Sequence, residues 1–196
     1  GILECRQAVS RKIKTLYNQD VDPERIIIMP GGKPTMHYAI QCFGEPGVEI
    51  IHPTPAFPIY ESMINYTGST PVPYDLTKDK DLKFNAEEIL SLITDKTRLL
   101  ILINPNNPTG SFVEKSEIDK LAKGLEQHPH VTILSDEIYS RQIFDGQDSK
   151  GNPKILSSGV ADEVNFIATE IKYNSDGKLE PSKQETFAES PDLKSK

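Results

Sequence analysis

Cysteine is scarce in this 196-residue chain: only Cys5 and Cys42 occur, both inside helical patterns. Two such residues make no disulfide framework, so a reducing compartment is expected. No apolar run approaches the roughly 18 residues needed to cross a bilayer, and no membrane-spanning helix is expected. A charged-then-apolar leader is lacking too, which argues for a cytoplasmic location over secretion. The start at Gly1 rather than Met leaves room for a removed N-terminus. Clustered basic residues are also missing: Lys and Arg are scattered and the formal net charge is −7. That pattern disfavours nucleic acid or an anionic membrane as the main partner. A small anion stays open as a ligand, because backbone N–H groups bind phosphate without net positive charge. The sequon Asn65-Tyr66-Thr67 is read as chance, and no repeat of fixed period is visible.

Hydrophobic residues make up 36% and charged residues 26%, the balance of a water-soluble globular domain. Leu3 to Tyr17 reads as a helix with a broken apolar face, and the β-branched run Arg25 to Met29 as a strand. Met36, Ala39, Ile40 and Phe43 recur at helical spacing, with Pro34 suited to a first turn. Val48 to Ile51 predicts a strand, Ile59 to Tyr66 a helix, and Pro71 to Tyr74 a further strand. Asn85 with Glu88 three residues on resembles a capping box opening a helix to Ile93. Arg98 to Ile103 is a buried strand, Val113 to Leu125 an amphipathic helix, and Val131 to Leu134 another strand. This alternation predicts an α/β fold with a mainly parallel sheet flanked by helices. Beyond Tyr139 the pattern weakens, although Val164 to Ala168 reads as one more strand. Residues 171–196 are polar and are expected to form a disordered tail behind a domain spanning 1–170.

Ligands of open parallel sheets sit outside the carboxyl ends of the strands. Three segments put unusual residues at that edge. Pro30-Gly31-Gly32-Lys33-Pro34-Thr35 joins a predicted strand to a helix start, where glycines admit close approach and free N–H groups face an anion. It is equally a tight connection, and it is not a Walker A loop, since Pro34 stands where a Mg²⁺-binding hydroxyl belongs. Asn104-Pro105-Asn106-Asn107-Pro108-Thr109-Gly110 reads either as a turn rich in turn formers or as a shaped loop. Ser135-Asp136-Glu137-Ile138-Tyr139 places a carboxylate at the end of an apolar strand, where desolvation is costly without a cation. A helix-capping Asp with a rim tyrosine is the alternative there. The four histidines suit packing or surface positions and suggest no metal site.

The Asn-Pro-Thr-Gly-like loop followed, about thirty residues on, by Asp136-Glu137-Ile138-Tyr139 resembles the ordered pattern of class I and II aminotransferases. The likeness runs from Gly1 to about Gly146 and includes Ile2 to Ala8 and Val21 to Ile27. It implies an incomplete large domain of that fold, with pyridoxal 5′-phosphate as cofactor. The substrates implied are an amino acid and a 2-oxo acid, and the intact family is homodimeric. By position, Gly31, Gly32 and Lys33 would hold the phosphate through backbone contacts, and Phe57 would stack on the pyridine ring. Asn107 and Tyr139 would bond the phenolic oxygen. Asp136 would pair with the pyridinium nitrogen, keeping the ring protonated so that it can accept electrons. Cis peptide bonds are implied at Thr54–Pro55 and Asn107–Pro108.

The family also needs a Schiff-base lysine after a further strand. Lys172, in Thr169-Glu170-Ile171-Lys172, is the candidate, with a surface lysine as the alternative. The usual serine is missing there, and Gly177-Lys178 matches the following Gly-x-Arg segment poorly. No counterpart of the second domain, with its carboxylate-gripping arginine, or of the N-terminal arm is visible, which points to a fragment or a degenerate enzyme. One cofactor site can serve several reactions, so a lyase or synthase, or a non-catalytic remnant that binds a partner, stays beside amino-group transfer.

Overall fold

The structure is a computed structural model, and it describes residues 1–139 together with short strands at 146–147, 153–154 and 169–170. Helix α1 (Leu3–Tyr17) ends at Asn18, whose left-handed backbone turns its N–H onto the Lys14 carbonyl. Four helix–strand alternations follow: α2 (Gly32–Phe43), β1 (Glu49–Thr54), α3 (Ile59–Thr67), β2 (Thr70–Asp75), α4 (Ala86–Ser91), β3 (Thr97–Ile103), α5 (Lys115–Leu125) and β4 (Thr132–Asp136). The remaining described strands are β5 (Gly146–Gln147), β6 (Pro153–Lys154) and β7 (Thr169–Glu170). Helix α4 opens as expected, with the Asn85 side chain accepting from the Glu88 N–H. It stops at Ser91, with Leu92 and Ile93 outside it.

The main sheet runs β2-β1-β3-β4-β7. Its first four strands are parallel, and β7 joins antiparallel through Ser135 against Thr169. The mainly parallel α/β fold therefore matches the expectation. Strand β3 explains why: Leu99, Leu100 and Ile101 are all fully buried, yet they alternate between two cores. Leu99 and Ile101 pack with Ile40, Ile50 and Ile64 under α2 and α3. Leu100 packs with Ile51, Ile89, Leu121 and Leu125 under α4 and α5. A strand covered on both faces reads as a continuous apolar run. Burying each such side chain contributes roughly 1.5–3 kcal/mol.

The expected strand at Arg25 to Met29 does not form. Pro23–Arg25 is instead a 3-10 turn, with the Asp22 carboxylate accepting from the Glu24 N–H. Ile26 to Met29 pair with no strand among the described residues, and Ile27 is 77% exposed. β-branched composition favours a strand only where a neighbouring strand offers hydrogen bonds and a packed face. Val164 to Ala168, Lys172 and the 171–196 tail lie outside the described residues. Among the described residues no helix is long and apolar enough to cross a membrane.

Two consequences position the site. After β1 the chain moves outward to β2, then returns to the other side of β1 for β3. Strand order thus reverses between β1 and β3, and the loops leaving their carboxyl ends diverge into a crevice.

Candidate functional site at the carboxyl edge of the sheet

Every sequence-predicted site residue within the described part lies on a loop or element end at one edge. Gly31 precedes α2 with φ +100°, a conformation that a side-chain-bearing residue reaches only with strain. No side chain caps this helix, so its first N–H groups stay free for another acceptor. The Lys33 ammonium lies 6.0 Å from the Phe57 ring centroid, which brings the glycine turn beside the loop leaving β1.

The loop leaving β3 meets the end of β4. Asn107 donates from Nδ2 to the Tyr139 hydroxyl at 3.1 Å, so the two residues expected to share one ligand atom are already neighbours. Asp136 is the last residue of β4, and its main-chain oxygen accepts from the Asn104 N–H at 3.2 Å. Its carboxylate accepts twice, at Oδ1 from the Ile138 N–H at 3.2 Å and at Oδ2 from the Tyr60 hydroxyl at 2.5 Å. Both donors are neutral, and no ion pair to Asp136 occurs among the described residues.

Thr54–Pro55 and Asn107–Pro108 are cis, as expected, and Asn104–Pro105 is a third cis bond that the sequence reading did not include.

Two further residues escaped the sequence reading. Tyr60 is fully buried on the first turn of α3, three residues after Phe57. Burial, with the Asp136 charge second, pushes its phenol well above the usual tyrosine range, so the hydroxyl remains a donor. A buried tyrosine needs a partner for its O–H, which was the available signal. Asn106 is buried, and its Nδ2 donates to the Pro55 carbonyl at 3.2 Å and the Thr109 hydroxyl at 2.9 Å. That one amide ties the Phe57-bearing loop to the loop that carries Asn107.

Beside Asp136, Glu137 accepts from Ser135 Oγ at 3.0 Å and from the Tyr17 hydroxyl at 3.3 Å. Burial raises its carboxyl above the usual range, although these two bonds pull the other way. His52, near the end of β1, donates from Nδ1 to the Pro53 carbonyl at 3.1 Å, and burial lowers its pKa. The neighbouring Asp136 charge also raises the Glu137 carboxyl, but among the described residues no side-chain hydrogen bond joins Glu137 or His52 to Asn107, Asp136 or Tyr139.

A family model described as aminotransferase class I and II matches residues 1–170. The chain is 36% identical over 146 residues to a probable aspartate/prephenate aminotransferase of Rickettsia bellii, covering 74% of this chain and 37% of that protein. It is 31% identical over 146 residues to an aspartate aminotransferase of Pyrococcus abyssi, with shares of 74% and 37%. The crystal structure of the aspartate aminotransferase from Rhizobium meliloti superposes with a TM-score of 0.70 at 27% identity, over 74% of this chain and 36% of that one. The chain thus spans under two fifths of the length of these relatives.

Proposed function

The chain belongs to the aminotransferase class I and II family, and on that premise we propose that it is the cofactor-holding part of a pyridoxal-phosphate-dependent aminotransferase. The reaction in question moves an amino group from an amino acid to a 2-oxo acid. The observation that carries the reading is Asp136: a carboxylate at the carboxyl end of β4, braced by two neutral donors and without an ion pair among the described residues. Such a group is costly to desolvate unless a cation meets it, and a protonated pyridine nitrogen is one.

The residues fit the cofactor in kind and in placement. The uncapped N–H groups at Gly32 and Lys33 suit a phosphate, with the Gly31 N–H turned onto the Met29 carbonyl at 2.9 Å, and the half-buried Phe57 ring beside them suits an aromatic face. Asn107 and Tyr139, 3.1 Å apart, suit a shared phenolic oxygen. Bound there, the cofactor supplies an electron-accepting ring for the amino acid's α-carbon. Asp136 holds the proton at the ring nitrogen, and the loops fix the ring's face and edge. Lys172 is the proposed covalent anchor and proton carrier.

Beyond the site, the reading has the intact protein acting as a cytoplasmic homodimer on small-molecule substrates, without nucleic acid or membrane partners. The exposed free thiols of Cys5 and Cys42 suit a reducing compartment, and the net charge of −7 suits no polyanion. The test is a titration of the folded 196-residue chain with pyridoxal phosphate, followed by absorbance. Saturable binding that weakens at least tenfold in Asp136→Asn is the expected result. A folded chain with no saturable binding overturns the reading.

A further inference from the structure

We propose that Tyr60 is a positioning residue that acts through Asp136, fixing the carboxylate so that it can meet the cofactor's ring nitrogen. The inference rests on the cofactor reading above and adds a residue to it. Tyr60 and Asp136 are 76 positions apart, and they meet because α3 packs on the sheet face to which β4 contributes Leu134. Tyr60 is fully buried in the same core cluster as Ile40, Ile50, Ile64, Leu99 and Leu134, and close packing there limits the freedom of its hydroxyl to leave.

The 2.5 Å separation is that of a charge-assisted bond from a hydroxyl to a carboxylate. Since the phenol keeps its proton, the direction of the bond is settled: Tyr60 donates and Asp136 accepts. Oδ1 is held by the Ile138 N–H of its own turn, so the two oxygens are anchored from different elements. A carboxylate fixed at both oxygens cannot swing, yet each oxygen retains a lone pair for one further donor. This is the supporting contact that a preorganised site needs, because an unsupported group pays its orientation on binding.

The same short span also carries Phe57. In Phe57-Pro58-Ile59-Tyr60, the start of α3 presents one ring beside Lys33 and one hydroxyl to Asp136. The support for the ring nitrogen and the contact for the ring face therefore sit on one four-residue span.

The experiment uses the full 196-residue chain in four forms: unsubstituted, Tyr60→Phe, Asp136→Asn, and both together. Each is titrated with pyridoxal phosphate carrying ¹⁵N in the ring, reading affinity by absorbance and nitrogen protonation by NMR. Tyr60→Phe keeps the buried ring, and the thermal midpoint of the ligand-free protein checks folding. The expected result is about a tenfold loss of affinity, the scale of a bond to a charged group. The ¹⁵N signal should move toward the unprotonated form. In the Asp136→Asn background Tyr60→Phe should cost nothing more, since its route of action is gone. Unchanged affinity and ¹⁵N signal in Tyr60→Phe overturn the proposal, as does an equal loss in both backgrounds. An unsubstituted folded chain that binds no pyridoxal phosphate overturns the cofactor reading itself, and the Tyr60 role with it.

Discussion

Asn106 joins two loops that the chain separates by 51 positions: its Nδ2 donates to the carbonyl of Pro55 at 3.2 Å. The second hydrogen of that amide goes to the Thr109 hydroxyl, and the residue's own N–H and C=O bond Ser111 and Gly110. The crevice between β1 and β3 is therefore bridged by one buried side chain, with Phe57 on one bank and Asn107 on the other.

Asn106→Ala leaves the Pro55 carbonyl and the Thr109 hydroxyl without this donor. Leaving buried polar groups unpaired costs about 1–3 kcal/mol, and urea unfolding should show a loss of that size. Affinity for pyridoxal phosphate should fall as well, because the Phe57 loop loses its tie. A variant as stable as the parent, with unchanged affinity, would show that the bridge is incidental.

Tyr139→Phe removes only the hydroxyl that Asn107 bonds at 3.1 Å. The fold should be almost untouched, since both residues are partly exposed at the edge. Binding of pyridoxal phosphate should weaken by a few-fold up to about tenfold, one neutral hydrogen bond's worth. Stability falling while affinity holds would make the pair structural.

Glu137 makes the stability depend on pH. Burial, its leading cause, raises the folded-state pKa above that of the unfolded chain, so the folded state holds its proton longer. The contribution is fully present below the ordinary glutamate range and is lost as pH rises through the folded-state value. Glu137→Gln should therefore flatten that stretch of the stability–pH profile, measured by urea unfolding from pH 4 to 8. An unaltered profile would mean that the carboxyl does not carry the dependence.

Much of this was legible in the residues. Leu99 to Ile103 announces a strand covered on both faces, and Asn85 with Glu88 announces the start of α4, because both signals are local. The Gly31, Asn107, Asp136 and Tyr139 positions were legible for another reason: their order along the chain resembles a known pattern. Ile26 to Met29 misled because a β-branched run specifies an extended backbone without specifying a partner strand. Tyr60 and Asn106 were missed because their partners, Asp136 and Pro55, are distant in the chain. Nothing near Phe57-Pro58-Ile59-Tyr60 tells which of the chain's many acceptors the buried hydroxyl will find.

The central claim is that one edge of the sheet holds pyridoxal phosphate, and backbone amide NMR of the ¹⁵N-labelled 196-residue chain tests it most directly. On adding the cofactor, the amide signals of Gly31, Gly32, Lys33, Asn107 and Asp136 should shift together along one saturation curve, while those of α5 on the opposite layer stay in place. Saturable shifts confined to other surfaces, with these five unmoved, would contradict the account.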